Sequence, residues 1–370
     1  MSGSVLSAAD VARLLKEPSG ETRAETARKV GTYFRSGQIS ERERQLAEEI
    51  FRAMVRDAEV RVRKALAETL AESPDLPKDV AKTLAEDVEE VALPVIELSD
   101  VLSDEDLIEI VRTKGEAHQI AVARRPKVSA KVSDVLADEG SERVVSTLVA
   151  NEGAEIAEET FGKVLDKFKD SPAVQEKLVS RSALPLVVAE RLVSIVSENL
   201  RTQLVTRHQL SDAMATDLVM ETRERATVGL LNPDIKAPDV IELVNQLHRN
   251  NRLTPTLIVR ALCMGDMTFF EAALAKRAGI PIPNAFQLIH DKGRLGLRKL
   301  CQKAGIPDSL IKMVEIGVAI GEELTETGGD DRERFRQVMI ERVITQLDQE
   351  LDADNLDYLI GKLGRRKAAA

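Results

Sequence analysis

The segment Lys276-Arg277-Ala278-Gly279-Ile280-Pro281 returns 26 residues later as Gln302-Lys303-Ala304-Gly305-Ile306-Pro307, with Leu274 and Leu300 at matching places upstream. A Gly just beyond a helix's last turn can take the left-handed conformation, which lets the following Ile fold back onto the Leu of the preceding turns; Pro then forbids another turn. Each copy therefore reads as the end of a helix. Leu262 and Leu288 stand the same distance apart, so the unit holds two short helices, with breaks near Gly265 and near Asp291 to Gly293. Units of this kind build solenoids, in which each unit buries its apolar face only against its neighbours.

A looser repeat precedes this block. Segments starting near Glu59, Val88, Gly115, Ser141 and Ser171 each carry an apolar run, a polar break and a second run, the second runs being 80–84, 107–111, 132–136, 161–165 and 192–196. Helices of about 8 to 12 residues do not persist alone in water, so stacking must stabilise them. Upstream, 5–15, 21–35 and 41–58 read as amphipathic helices, and Ser40 with Glu43 forms a capping box for the third. The stretch 204–230 reads as one longer helix with Leu204, Leu210, Met214, Leu218 and Val228 on its core face, stopped at Leu231-Asn232-Pro233-Asp234. Thr254-Pro255 starts another helix, 325–331 reads as a linker, and 335–347 and 356–363 read as closing helices before a frayed tail.

Aromatic residues make up 3% of the chain and Trp is missing, whereas sheets favour aromatics. The expected fold is all-α, an α-solenoid of short helical-hairpin repeats, HEAT-like, with about 26–30 residues per unit. The expected divisions are N-terminal cap helices 1–58, an irregular repeat block 59–231, a regular repeat block 232–324, and a linker with C-terminal helices 325–370.

The formal charge of −10 is unevenly spread. Between Glu68 and Glu109 there are 14 acidic residues against Lys78 and Lys82, and Arg112, Lys114, Arg124, Arg125, Lys127 and Lys131 follow with only Glu116 opposing. Adjacent bands of opposite sign suit a dipolar protein partner or a second copy of the chain. Net acidity argues against nucleic acid, whose phosphates require Lys and Arg. No run approaches the ~20 apolar residues of a membrane span; 183–196 comes closest and is interrupted by Glu190 and Arg191. Residues 1–15 carry Asp10 and Arg13 without a basic region before an apolar run, so no secretion signal is expected. With Cys263 and Cys301 as the only cysteines and no CxxC pair, the reading is a cytoplasmic protein with two buried thiols.

Phosphate loops, dinucleotide fingerprints, zinc-protease, nucleophile-elbow and calcium-loop motifs do not occur. His118, His208, His248 and His290 are scattered, which leaves no zinc pattern, and neither a metal nor a cofactor is expected. His290-Asp291 resembles a pair used by metal-dependent phosphohydrolases, but the further ligands are not evident. Two stretches ask for more than packing. In Asp266-Met267-Thr268-Phe269-Phe270 two aromatic residues adjoin beside a Gly-Asp turn, and rings about 100° apart on a helix do not share one stripe. Asp266, Phe269 and Phe270 are therefore candidates for binding a partner. His290, Arg294, Arg298 and Lys299 are candidates for binding an anion, since positions 294 and 298 fall on one helix face.

Arg260-Ala261-Leu262-Cys263-Met264-Gly265-Asp266, Phe269 to Ala275, Asn284-Ala285 and Leu288-Ile289-His290-Asp291-Lys292-Gly293-Arg294-Leu295-Gly296-Leu297 together resemble a bacterial family known only as a domain of unknown function. The resemblance runs from about Glu59 to about Ile320, and its specific part is the second block. It implies a helical architecture similar to HEAT repeats, although 26 residues is shorter than their usual ~40, and it implies no catalytic residue. The expected function is that of a non-catalytic adaptor or regulator working through protein contacts. The alternative is a sensor that binds a small anionic metabolite or nucleotide in a helical groove.

Overall fold

The computed structural model describes residues 19–347 apart from 38, 209–210, 232–233 and 327–331. The expected helices at 5–15 and 356–363, the tail and most of the expected linker lie outside the described residues. Twenty helices account for the described chain. Among the described residues no sheet forms, and the one strand-like contact is an isolated bridge between Val128 and Ala154. The chain divides into two compact units, 1–184 and 185–370.

The first unit comprises α1 (Gly20–Arg35), α2 (Glu41–Met54), α3 (Val60–Leu70), α4 (Lys78–Ala85), α5 (Glu89–Leu98), α6 (Asp104–Thr113), α7 (Glu116–Ala123), α8 (Ala130–Glu139), α9 (Glu142–Ala150), α10 (Glu158–Lys167) and α11 (Pro172–Ser180). Odd-numbered helices pack on one another in order from α1 to α11, and α6, α8 and α10 form a second layer beside them. Glu59, Val88, Gly115, Ser141 and Ser171, where the loose repeat begins, are the N-caps of α3, α5, α7, α9 and α11. Ser40 and Glu43 do close a capping box on α2. Helices α1 to α9 each contribute buried residues, such as Val91, Ala92, Val95 and Ile96 on α5, to one continuous core.

Helices this short have a large share of unpaired backbone at their ends; cap serines accept amides of their own helices, and the next helix of the same layer supplies partners for carbonyls at C-termini. At N-termini, the cap Ser129 donates to Asp104 at the start of α6, Ser141 to Glu116 at the start of α7, and Ser171 to Glu142 at the start of α9. At C-termini a cation or amide of the next helix donates to the free carbonyls directly. Lys114 donates to the Glu86 carbonyl, Arg125 to those of Ile96 and Ser99, Asn151 to those of Ala123 and Arg125, Lys167 to that of Gly140, and Arg181 to those of Val149, Asn151 and Ala154. These residues lie 25 to 32 positions from their acceptors, one helix pair along the chain.

The second unit comprises α12 (Leu186–His208), α13 (Asp212–Leu230), α14 (Ala237–Arg249), α15 (Pro255–Cys263), α16 (Met267–Ala278), α17 (Ile282–Ile289), α18 (Leu295–Ala304), α19 (Asp308–Glu326) and α20 (Arg332–Leu347). The single helix expected over 204–230 is in fact the end of α12 and all of α13. Ser211 caps α13 by accepting from the Met214 amide, which restarts the helix. Met214 and Leu218, expected in the core, are exposed. Thr254 and Pro255 start α15 as read from sequence. The anticipated division near residue 231 falls inside this unit, between α13 and α14.

Both copies of the helix stop behave as their residues dictate. Gly279 and Gly305 are left-handed at φ 67° and 75°, and the Ile280 and Ile306 amides reach back to the Ala275 and Cys301 carbonyls over Leu274 and Leu300, which are buried. Arg277 bridges the two stops by donating to the carbonyls of Leu253 and Ala304. The other halves of the two copies are not equivalent. Leu262 is buried while Leu288 is 39% exposed, because α15 packs against α19 whereas the principal neighbours of α17 are α16 and α18. Close approach of α19 is possible because a Cβ at Gly317 would lie 2.9 Å from Leu262 side-chain carbons.

Arg125 is the buried member of the C-terminal series, 5% exposed, and its substitution isolates the contribution of that series. Arg125→Met keeps the length and apolar stem while leaving two buried carbonyls unpaired, so the first unit should lose about 2–3 kcal/mol. Urea unfolding followed by circular dichroism measures this as a lowered midpoint, and an unchanged midpoint would rule out the capping role.

Candidate functional site

Phe269 and Phe270 stand in the first turn of α16, a helix flanked by α14, α15, α17 and α18. Because the helix is enclosed on several sides, two rings pointing about 100° apart both find core, and both are fully buried. Neither ring presents surface to a partner. Asp266, also buried, pairs with Arg332 at 3.0 Å, and Arg332 in turn donates to the Leu231 carbonyl. These three residues hold α16 against α20 and the chain after α13.

The second candidate set lies where α16, α17, α18 and α19 meet. His290, the C-cap of α17, sits between two carboxylates, with Nε2 3.0 Å from Glu271 Oε1 on α16 and Nδ1 3.0 Å from Glu322 Oε1 on α19. The Phe286 ring lies against the imidazole, centroids 4.4 Å apart. Arg294, held in the left-handed region at φ 57° as the N-cap of α18, forks onto both Glu322 oxygens. Arg298 pairs with Glu315 at 2.8 Å, and Lys299 is exposed. The structure thus brings His290 and Arg294 onto one carboxylate and gives Arg298 another.

This arrangement restricts the chemistry available. A histidine acting as general base needs a ring nitrogen within reach of substrate, and both nitrogens of His290 face carboxylates. An anion arriving here would have to compete with Glu271, Glu322 and Glu315 for its cations. No cluster of histidine, cysteine and carboxylates suited to a metal exists among the described residues. The two thiols are buried, and burial pushes both up to about 12, which leaves them protonated and unreactive at neutral pH.

Part of the acidic band is tied into the first unit, where Glu72, Asp75, Asp79, Asp87, Glu90 and Asp106 pair with Arg35, Arg44, Arg52, Arg63, Lys64 and the two lysines Lys78 and Lys82. Lys78 and Lys82 reach Asp106 across a cleft of about 330 Å³ between α4 and α6, and against the cost of burial these contacts hold the Asp106 carboxyl well below the usual carboxylate range. Arg23 with Asp57 and Arg63 with Asp87 form paired forks, each partly buried. Arg125, counted in the basic band, lies inside.

Sequence reading passed over three features. Glu190, fully buried on α12, pairs with Arg252, and burial pushes its carboxyl up despite the nearby Arg252 and Arg223 charges. Glu224 on α13 accepts from Thr254 and Thr256 at the start of α15 and pairs with Arg260. For Glu190 the available signal was the Glu190-Arg191 pair interrupting the apolar run 183–196. The third feature is an apolar edge. Leu295, 66% exposed, opens α18 next to Leu288, whose backbone a Cβ at Gly296 would touch. Lys299 and Lys303 continue from Leu295 along one exposed stripe of α18 at intervals of four.

His118 on α7 is buried with neither ring nitrogen hydrogen-bonded, and burial lowers its proton affinity below the ordinary histidine value. The folded protein then binds fewer protons than the unfolded chain once pH drops below about 6.5, so stability falls in that range and is unaffected above it. The melting temperatures of wild type and His118→Leu should differ by a constant above about pH 7 and diverge against the wild type toward pH 5. A difference that stays constant across the range would exclude this role for His118.

A family model described as an uncharacterised protein conserved in bacteria, DUF2336, matches residues 91–351. No curated protein and no solved structure matches the chain.

Proposed function

We propose that this chain, which belongs to the DUF2336 family of uncharacterised bacterial proteins, is a non-catalytic helical-repeat protein, an α-solenoid of HEAT-like hairpins that works in the cytoplasm as an adaptor or regulator through protein contacts. The repeat reading is supported by the hydrogen bonds that tie several helix ends of the first unit to residues 25 to 32 positions away. The binding reading rests on one observation, the apolar edge of α17 and α18 where Leu288 and Leu295 lie exposed beside the Lys299–Lys303 stripe. An apolar centre with a charged rim is the usual anatomy of a protein contact. This edge takes the place of Phe269 and Phe270, which are core.

A sensor for a small anion is the second reading. His290, Arg294 and Arg298 are already matched by Glu271, Glu322 and Glu315, which favours the first.

One experiment separates them. Affinity capture from source cells, with wild type beside a folded Leu288→Ser/Leu295→Ser variant, should return a stoichiometric protein that the variant loses at least about tenfold, or about 1.4 kcal/mol. Thermal unfolding with inorganic phosphate and with nucleotides should show no stabilisation. A ligand present at 100 times its dissociation constant adds about 2.7 kcal/mol, so a rise in melting temperature abolished by Arg298→Ala would replace the adaptor with the sensor.

A further inference from the structure

The helices α12 and α13 run 23 and 19 residues, against 8 to 16 in the first unit. Their bases are held by α14 and α15 and by the buried Glu190–Arg252 and Glu224–Arg260 pairs. Beyond the base, α12 and α13 have only each other as principal neighbours, and among the described residues from Glu198 to Asp217 only Ala215 is buried. This half of the hairpin still carries apolar stripes at intervals of four: Val196 and Leu200 on α12, 43% and 44% exposed, and Met214 and Leu218 on α13, 63% and 52% exposed.

Helical geometry places the two stripes on one side of the hairpin. At 100° per residue, Met214 and Leu218 lie about a quarter turn from the buried Ala215 and Val219, and Val196 and Leu200 lie about a quarter turn from the buried Ser197, in the same rotational sense. In antiparallel helices equal rotations away from the contact line fall on the same side. Among the charges around these stripes, Arg201 pairs with Glu198 and Asp212 and Arg225 pairs with Glu221, so covering the face strands no member of these three pairs without a counter-charge.

We propose that this face binds the same face of a second copy, so that two hairpins complete an antiparallel four-helix bundle around a twofold axis at the level of Leu200 and Leu218. A two-helix hairpin is half of such a bundle, and every other copy of the chain carries the missing half. The exposed fractions of the four side chains sum to about two whole residues per copy. Two copies would bury on the order of 700 Å² of apolar surface there, the apolar share expected of a ~1,200 Å² interface, the lower end for stable association. The described turns beyond the base, packed mainly on each other, gain further tertiary contacts from this pairing.

Sedimentation of the full chain from about 1 µM to about 100 µM tests this directly. The wild type is expected at twice the chain mass at the upper end. Met214→Glu/Leu218→Glu and, separately, Val196→Glu/Leu200→Glu should each sediment at the single-chain mass throughout with unchanged helical circular dichroism, while Val88→Glu, an exposed apolar position in the first unit, should leave the dimer intact. A wild type that remains monomeric, including one that pairs only with a different protein, overturns the proposal. So does a dimer that survives in both folded double variants. The outcome is independent of the Leu288 and Leu295 experiment, which reads a different surface.

Discussion

The first unit depends on what happens at helix ends. A helix of about ten residues leaves some eight backbone groups without an intrahelical partner, a far larger proportion than in a long helix. Lys114, Arg125, Asn151, Lys167 and Arg181 take the carbonyls left at the ends of α4, α5, α7, α8 and α9, while cap serines link helix starts to acidic residues one helix pair back. The favourable placement follows from the dipole, with cations at carbonyl ends and carboxylates at amide ends. Apolar burial holds the layers together, but the polar ends set the register, because a helix shifted by one turn would bury its core residues and leave the carbonyls unpaired.

Much of this was readable in the sequence, and the reasons are local. Glu59, Val88, Gly115, Ser141 and Ser171 marked helix starts because capping residues and apolar onsets act within one turn. Gly279 and Gly305 marked helix stops because only glycine takes their φ without strain. What escaped was non-local. The equivalence of Leu262 and Leu288 is a fact of sequence, yet whether α17 is flanked on both sides depends on α19, whose Gly317 admits Leu262 and closes α15 against it. Likewise Phe269 and Phe270 looked excessive for one stripe of a helix, and a helix with neighbours on several sides has more than one stripe to fill. For the charged candidates, spacing put Arg294 and Arg298 on one face, but no spacing rule reveals Glu322 and Glu315 waiting on α19.

Charge is used in two ways along this chain, and burial tells them apart. Forked pairs such as Arg23–Asp57 and Arg63–Asp87, partly shielded and hydrogen-bonded on several sides, tie neighbouring helices, and the Arg23 guanidinium holds the Asp57 carboxyl below its ordinary range. Glu190 is different, since burial alone pushes its carboxyl up and the Arg252 charge does not fully offset that cost. A buried pair of this kind adds little net stability against an apolar substitute, but separating its members is strongly unfavourable. Its effect is therefore on geometry more than on free energy.

That distinction accounts for where the long hairpin can be rigid. Glu190 and Glu224 sit on α12 and α13 within a few turns of where the two helices meet α14 and α15, and each is held from the other side by a residue of the segment 252–260. An apolar contact at these positions would tolerate sliding or rotation; a buried carboxylate facing one guanidinium does not. The base of the hairpin is thereby fixed in rotation, and with it the direction in which Val196, Leu200, Met214 and Leu218 point. A surface that must meet its own copy across a twofold axis requires a fixed direction, because any rotation of one hairpin is repeated, with opposite effect, in the other.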